Sequence, residues 1–118
     1  MYSKATGLVG KGKWGKILQK KIQANSNLIF SVNSKSNYLK EISQLNWIFI
    51  ATPDATHYKI VNKCLDKKIN IFCEKPLTKT YAQSLKLFKK PASLYRNTSP
   101  YKSTQTDIWV WAYVLIFL

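Results

Sequence analysis

Three glycines near the start of the chain have the spacing of a phosphate-binding turn. Gly10, Gly12 and Gly15 form G-x-G-x-x-G, and the apolar segment Ala5–Val9 runs directly into them. The first glycine permits a sharp turn, the second lets the backbone approach a pyrophosphate, and the third lets a helix pack closely on the strand. Amide groups at the helix N-terminus then face the phosphates. We expect a dinucleotide to bind here, and the residues between the glycines are further candidates for contacts with it: Lys11, Lys13 and Trp14.

The loop after the next apolar segment bears on the choice of dinucleotide. In NAD-binding domains an acidic residue about 20 residues beyond the glycines accepts the ribose hydroxyls and repels a 2′-phosphate. Here that loop is Asn33-Ser34-Lys35, and the first acid in the chain is Glu41. The hydroxyl of Ser34 and the ammonium of Lys35 therefore stand where a carboxylate would discriminate against NADP. The sequence predicts NADP or NAD as cofactor, with a preference for NADP.

Four short apolar segments are predicted to be the strands that position these loops. They are Ala5–Val9, Leu28–Val32, Trp47–Ala51 and Ile69–Cys73. Their near-continuous apolar character is typical of parallel strands covered on both faces. The segment Tyr38–Ile42 is a candidate for a short helix between the second and third strands.

Three segments between or after the strands predict helices. From about Trp14 to Ala24 apolar residues recur at three- and four-residue spacing. Asp54 is a candidate cap for a second helix. Its apolar stripe consists of His57, Ile60, Val61, Cys64 and Leu65. Thr80 and Gln83 have the spacing of a capping box that opens a third helix. The apolar positions of that helix are Tyr81, Ala82, Leu85 and Phe88.

The alternation of strands and helices indicates the fold class. It favours an α/β fold with a parallel sheet and right-handed crossovers, here an incomplete Rossmann-type, doubly wound sheet. We predict a dinucleotide-binding domain over residues 1–90 and an irregular tail over residues 91–118. Within the tail, 91–106 is expected to be a loop, whereas 108–118 could form an edge strand, form a short helix or remain undocked.

The charge of the chain is high and evenly spread. Over 118 residues the formal net charge is +14, and Arg96 is the single arginine among many lysines. Proteins that recognise nucleic acids concentrate charge on one face and use arginine for bidentate contacts. The pattern here favours a solvated lysine-rich surface and no specific nucleic-acid partner.

Cysteine usage and the chain ends bear on location. Cys64 and Cys73 lie in apolar stretches without metal-ligand partners at useful spacing, so we expect them to pack in the core and expect no metal site. The start, Met1–Ala5, has no apolar run of signal-peptide length, and Ile108–Leu118 is too short for a membrane-spanning helix. We therefore expect a cytoplasmic location and no membrane partner.

Two further segments give the chain a family resemblance. Residues 50–57 read Ile-Ala-Thr-Pro-Asp-Ala-Thr-His, and residues 73–77 read Cys-Glu-Lys-Pro-Leu. Together with the glycine turn, and in this order, they resemble the Gfo/Idh/MocA family of glucose–fructose oxidoreductase and inositol dehydrogenase relatives. The resemblance extends from about Thr6 to Lys90. It implies hydride transfer between a nicotinamide and a sugar, polyol or related hydroxyl compound.

The resemblance also implies roles for individual residues. Thr52 and Pro53 would lie near the cofactor, at the carboxyl end of the third strand, with His57 as a neighbour of that loop. Lys75 would contact substrate or assist proton transfer, because an ammonium can polarise a hydroxyl or carbonyl oxygen. Glu74 would orient Lys75 or bind nearby cofactor groups.

The resemblance does not extend to the end of the chain. Family members continue into a mostly β-sheet substrate domain with a downstream catalytic histidine, and the only histidine here is His57. We expect a truncated or frameshifted tail and little or no turnover by the chain alone, with a sugar or polyol bound only if a second domain completes the site. Two other classes stay open: a different nucleotide-binding Rossmann protein, such as a methyltransferase, and a basic nucleic-acid-binding module. The Glu74-Lys75-Pro76 segment favours the oxidoreductase over a methyltransferase.

Overall fold

The computed structural model describes residues 4–67, 69–89 and 108–110, and its centre is a parallel sheet. Within these residues five strands run in the order β2-β1-β3-β4-β5, and each pairs in parallel with its neighbours. The strands are β1 (Ala5–Val9), β2 (Asn27–Val32), β3 (Trp47–Ile50), β4 (Asn70–Cys73) and β5 (Ile108–Val110). The predicted α/β class and the four predicted strands are confirmed. The chain adds β2 on one side of β1 and β3 on the other, so the strand order reverses at β1.

Three α-helices connect or follow these strands within the described residues. They are α1 (Lys13–Asn25), α2 (Asp54–Leu65) and α3 (Tyr81–Phe88). The short helix expected over 38–42 is wrong in place and type, because a turn at 39–41 leads into a 3-10 helix at Ile42–Gln44. No helix in the described part of the chain has the length and apolar character needed to cross a bilayer.

The sheet separates two apolar clusters. On one face, Ile48, Ile50 and Ile71 pack with the buried side of α2. On the other face, Leu8 and Phe72 pack with α1. Because successive side chains of a strand point to opposite faces, each of the strands β1 to β4 contributes to both clusters. Every strand of the sheet centre is therefore held by apolar contacts above and below.

Helix α2 lies with its predicted stripe in the core. Its buried residues are His57, Ile60, Val61, Cys64 and Leu65, as the apolar periodicity predicted. The prediction that Asp54 caps the helix is wrong, because Pro53 occupies the cap position and Asp54 is the first helical residue. In the first turn the Asp54 carboxylate still interacts favourably with the helix dipole.

Helix α3 begins as predicted but turns a different face inward. The Thr80 hydroxyl accepts a hydrogen bond from the Gln83 amide at 3.2 Å, which confirms the cap. Tyr81 is 80% exposed and Leu85 is also exposed, so the predicted apolar face is wrong; Leu87 is buried instead. The physical reason lies in the segment before the helix, where the hydroxyl of the buried residue Thr78 forms a hydrogen bond with the hydroxyl of Ser84. This bond turns the side of the helix that carries Ser84 and Leu87 towards the core. Ala82, predicted on the same face, is exposed, and the predicted position of the Phe88 side chain lies outside what the structure describes.

The two cysteines are core residues, as expected. Cys64 and Cys73 are both fully buried in the cluster beneath α2. Burial raises the pKa of the Cys64 thiol to about 12 and that of the Cys73 thiol to about 12. Both groups therefore remain neutral thiols at physiological pH. Residues 91–107 and 111–118, where most of the tail predictions fall, lie outside the described residues, whereas Ile108–Val110 forms an edge strand within those that are described.

Candidate functional site

A cleft opens where the strand order reverses, at the carboxyl ends of β1 and β3. Open α/β sheets bind ligands at this position because the connections on either side diverge. The cleft has a volume of about 480 Å³, within the range of small-molecule and cofactor sites. Nine of the predicted site residues line it: Gly10, Lys11, Gly12, Lys13, Trp14, Ser34, Thr52, Pro53 and Glu74.

Two of the three glycines are required by the geometry of the turn itself. Gly10 has φ +128°, a conformation that residues with a Cβ rarely adopt, and a Cβ there would overlap the carbonyl of Ala51. A Cβ on Gly15 would overlap the carbonyl of Gly10. Gly15 is buried beneath the turn and does not line the cleft. These two glycines let β1, the turn and α1 approach one another closely.

Gly12 is different, because its free side faces open space. A Cβ at Gly12 would meet no atom within 4 Å, and the residue lines the cleft. Gly12 is the N-cap of α1, supplies no side-chain cap, and the first turn contains no acidic residue. The positive end of the helix dipole is thus open to an anion, with Lys11 and Lys13 exposed beside it. This cradle fits the pyrophosphate of a dinucleotide.

Trp14 belongs to the cleft and not to the core. It was predicted at the start of the apolar stripe of α1, but it is 43% exposed and lines the cleft. The buried residues of α1 are Gly15, Leu18 and Ile22. The apolar periodicity of α1 therefore identified Leu18 and Ile22 as core residues but not the exposed position of Trp14.

The loop after β2 forms a second part of the cleft. The Gly10 amide donates to the Val32 carbonyl at 2.7 Å, which holds the end of β2 beside the glycine turn. The Asn33 side-chain oxygen accepts from the Lys35 amide at 2.9 Å, an Asx-turn that folds the loop back. Ser34 lines the cleft, whereas Lys35 is exposed and does not line it.

The opposite side of the cleft comes from the segments after β3 and β4. The Ala51 amide donates to the Val9 carbonyl at 2.8 Å, and the Glu74 amide donates to the Ile50 carbonyl at 2.9 Å. These bonds extend the sheet pairing beyond the strand ends. They bring Thr52, Pro53 and Glu74 to the cleft, although Glu74 follows Gly15 by 59 residues in sequence.

His57 lies behind this side of the cleft and does not line it. The ring is 1% exposed. Its Nδ1 lies 2.6 Å from the Pro76 carbonyl oxygen, and its Nε2 lies 2.8 Å from the Thr52 carbonyl oxygen. His57 therefore connects the segment after β3 to the segment after β4.

Lys75 follows Glu74 directly and stands at the outside of the same segment. Its side chain is exposed and is not among those that line the cleft, and its peptide bond to Pro76 is cis. The structure therefore places the Lys75 backbone next to a cleft residue.

Two lining residues were not predicted from the sequence. Asn33 and Ala51 are the first residues after β2 and β3. Their signal was positional, because residues directly after parallel strands gather at one sheet edge whatever their side chains. A sequence search that selects residues for chemical reactivity or backbone flexibility does not identify Asn33 or Ala51.

Comparisons with known proteins match the chain to one family. A family model described as an oxidoreductase family with an NAD-binding Rossmann fold matches residues 15–94. Inositol 2-dehydrogenase of Mycolicibacterium gilvum (strain PYR-GCK) is 39% identical over 49 residues, which are 42% of this chain and 14% of that protein. The chain spans 13–21% of the length of the curated relatives it matches.

Solved structures share the fold. UDP-N-acetylglucosamine 3-dehydrogenase from Acidithiobacillus ferrooxidans aligns with a TM-score of 0.66 at 19% identity, covering 74% of this chain and 33% of that chain. GenD2 from gentamicin A biosynthesis, solved in complex with NAD, aligns with a TM-score of 0.65 at 18% identity, covering 74% of this chain and 31% of that chain. At these identities the likeness establishes the fold.

Proposed function

Because the chain belongs to the Gfo/Idh/MocA oxidoreductase family, we propose that its cleft binds NADP(H) or NAD(H) for hydride transfer involving a sugar, polyol or related hydroxyl compound. The observation that carries the proposal is the open space at Gly12, beside the N-terminus of α1 and across the cleft from Glu74. The inositol dehydrogenase relative supports the class of substrate, because inositol is a polyol.

The chain's own residues would hold the two halves of the dinucleotide differently. The amides at the start of α1 and the cations Lys11 and Lys13 would bind the pyrophosphate. Thr52, Pro53 and Glu74 would border the nicotinamide half. When bound, the nicotinamide supplies the hydride acceptor or donor.

Lys75 is the proposed catalytic residue. Its ammonium would donate a hydrogen bond to the reacting oxygen of the substrate and thereby stabilise the charge that develops on it. Glu74 would orient the ammonium. His57 would act on the cofactor only through the segments that it connects.

We further propose that NADP(H) binds more tightly than NAD(H). Ser34 lines the cleft and Lys35 follows it, and no acidic residue of the described chain lies in this loop. A hydroxyl and a nearby ammonium favour a 2′-phosphate, which a carboxylate would repel. The proposal includes a cytoplasmic location, which the two free thiols of Cys64 and Cys73 support.

Nicotinamide fluorescence tests the cofactor proposal directly. The purified chain is titrated with NADPH and with NADH, and NADPH is expected to bind about tenfold more tightly, the equivalent of about 1.4 kcal/mol. Replacing Ser34→Asp should reverse the preference, because the new carboxylate repels the 2′-phosphate. The matched control is Ser43→Asp, an exposed serine in the 3-10 helix outside the cleft. Failure of the unmodified chain to bind either nucleotide would contradict the proposal.

A further inference from the structure

The two ring nitrogens of His57 face the same kind of partner. Nδ1 lies 2.6 Å from the Pro76 carbonyl oxygen and Nε2 lies 2.8 Å from the Thr52 carbonyl oxygen. A neutral imidazole has one N–H donor and one acceptor nitrogen, whereas a carbonyl oxygen only accepts. The neutral ring can therefore make one of these bonds, and only the protonated ring makes both.

We propose that His57 is a positioning residue whose protonated ring joins the Thr52 segment to the Pro76 segment and so sets Glu74 and Lys75 against the cofactor cleft. The inference rests on the proposed function for its consequence and on geometry alone for the link. Each segment contributes residues to the same side of the cleft, Thr52 and Pro53 from one and Glu74 from the other. Pro76 directly follows Lys75, so a bond at the Pro76 carbonyl fixes the backbone that carries the proposed catalytic ammonium.

Burial makes the link sensitive to the proton. At 1% exposure the ring has almost no contact with solvent, so a carbonyl that loses its donor cannot regain one from bulk water without movement. Loss of the proton leaves one of the two carbonyls facing an unprotonated nitrogen. The ring then forms a hydrogen bond with only one of the two segments.

Several ionisable side chains belong to the elements around His57. They are Asp54, Tyr58, Lys59, Lys63 and Cys64 on α2, Cys73 on β4, Glu74, Lys75 and Lys79 in the segment after it, and Tyr81 and Lys86 on α3. Residues 47–53, which form β3 and its loop, contain none. Burial raises the pKa of Cys64 to about 12 and that of Cys73 to about 12, so both thiols stay neutral at the pH values compared below.

The link can be observed without cofactor, because His57 is the only histidine in the chain. Proton–nitrogen NMR of the full chain at pH 6 should show both ring nitrogens protonated, with ring protons that exchange slowly with solvent. At pH 9 one ring proton should be lost, and the amide signals of Lys75 and Leu77 should shift with it. An unprotonated ring nitrogen at pH 6 in the folded chain, or a titration that leaves those amides unmoved, would overturn the inference.

Binding of NADH measures the consequence, and NADH lacks the 2′-phosphate that titrates in the same range. Dissociation constants are compared at pH 6 and pH 9, and binding by the unmodified chain should weaken roughly fivefold, the worth of about one hydrogen bond. His57→Gln keeps an amide donor at every pH, so its binding should be the same at both pH values. Ile60→Val is the matched control, because it removes a buried methyl-sized group from the same helix and leaves both hydrogen-bond partners of His57 in place.

The outcomes distinguish a failure of the proposed His57 link from a failure of the proposed cofactor binding. His57→Leu tests the loss of both donors, and circular dichroism reports whether it folds; should it unfold, His57→Gln carries the test. A pH dependence that persists in His57→Gln, or that disappears in Ile60→Val, would overturn the inference. If the unmodified chain binds NADH at neither pH, the proposed function fails, and the NMR result alone decides the link.

Discussion

The two sides of the cleft are built in different ways. The glycine side, residues 10–15, is shaped by backbone, and its critical contacts join Gly10 to Ala51 and Gly15 to Gly10. The histidine side, formed by Thr52, Pro53 and Glu74, depends on a buried side chain that reaches partners 5 and 19 residues away. One side needs the absence of side chains; the other needs one particular side chain.

The two sides of the cleft are therefore expected to differ in their response to pH. The backbone contacts that close the glycine turn involve no titratable group. A pair of segments joined through an imidazole can be tightened or loosened by one proton. The proposed dependence on the His57 proton therefore concerns the histidine side and not the glycine side.

The largest expected effect is on the glycine side. Gly10→Ala should lower the free energy of unfolding by about 3 kcal/mol, because the residue has a positive φ and its new Cβ would overlap the Ala51 carbonyl. Urea denaturation followed by circular dichroism measures it. Gly12→Ala is the control, since its Cβ meets nothing within 4 Å. Equal stability of Gly10→Ala and Gly12→Ala would contradict the assignment of Gly10 to the fold and of Gly12 to ligand binding.

Gly12→Asp should separate binding from folding. The carboxylate would face the cleft and repel the pyrophosphate, weakening NADPH binding on the order of thirtyfold, or about 2 kcal/mol. The same change should raise the free energy of unfolding by about 0.5 kcal/mol, because aspartate is a better N-cap than glycine and its negative charge interacts favourably with the positive end of the helix dipole. Fluorescence titration and urea denaturation give the two numbers. Unchanged NADPH binding would contradict the assignment of Gly12 to the phosphate site.

Alkaline pH should act on the core beneath the histidine side. The Cys73 pKa rises from 9.0 to about 12 on folding, mainly through burial. Between these pH values the unfolded chain loses the thiol proton while the folded chain keeps it. The contribution of this thiol to the free energy of unfolding is therefore fully present below pH 9 and is lost as the pH rises towards 12. Each such thiol contributes a slope of about 1.4 kcal/mol per pH unit. Urea denaturation of Cys73→Ala from pH 8 to pH 11 should show a shallower decline than the unmodified chain, and an identical decline would contradict it.

The smallest expected effect concerns the exposed cations. Lys11→Gln should weaken NADPH binding only about twofold at physiological ionic strength, because an exposed charge is well screened. Lys20→Gln, an exposed lysine of α1 outside the cleft, should leave binding unchanged. The Lys11 effect should vanish in 1 M salt. A tenfold loss at Lys11 would indicate that charge, and not the helix N-terminus, dominates the glycine side.

Fold class and strand positions were predictable because they follow from local patterns. Apolar segments of the right length identified four strands, and the stripe on α2 was correct at every position. The face of α3 was not predictable, because an eight-residue helix allows more than one apolar stripe and the Thr78–Ser84 hydrogen bond selects among them. The 43% exposure of Trp14 was likewise not evident from its place in the apolar periodicity of α1.

The G-x-G-x-x-G spacing was enough to predict the glycine side of the site, although the close approach of Gly10 to Ala51 forms only in the folded sheet. The histidine side could be found only in the folded structure. The sequence marks His57 as a position on an apolar stripe, but its two partners are carbonyl groups, which every residue possesses. Which carbonyls come within 2.6 Å and 2.8 Å of the ring is settled by the pairing of β3 with β4.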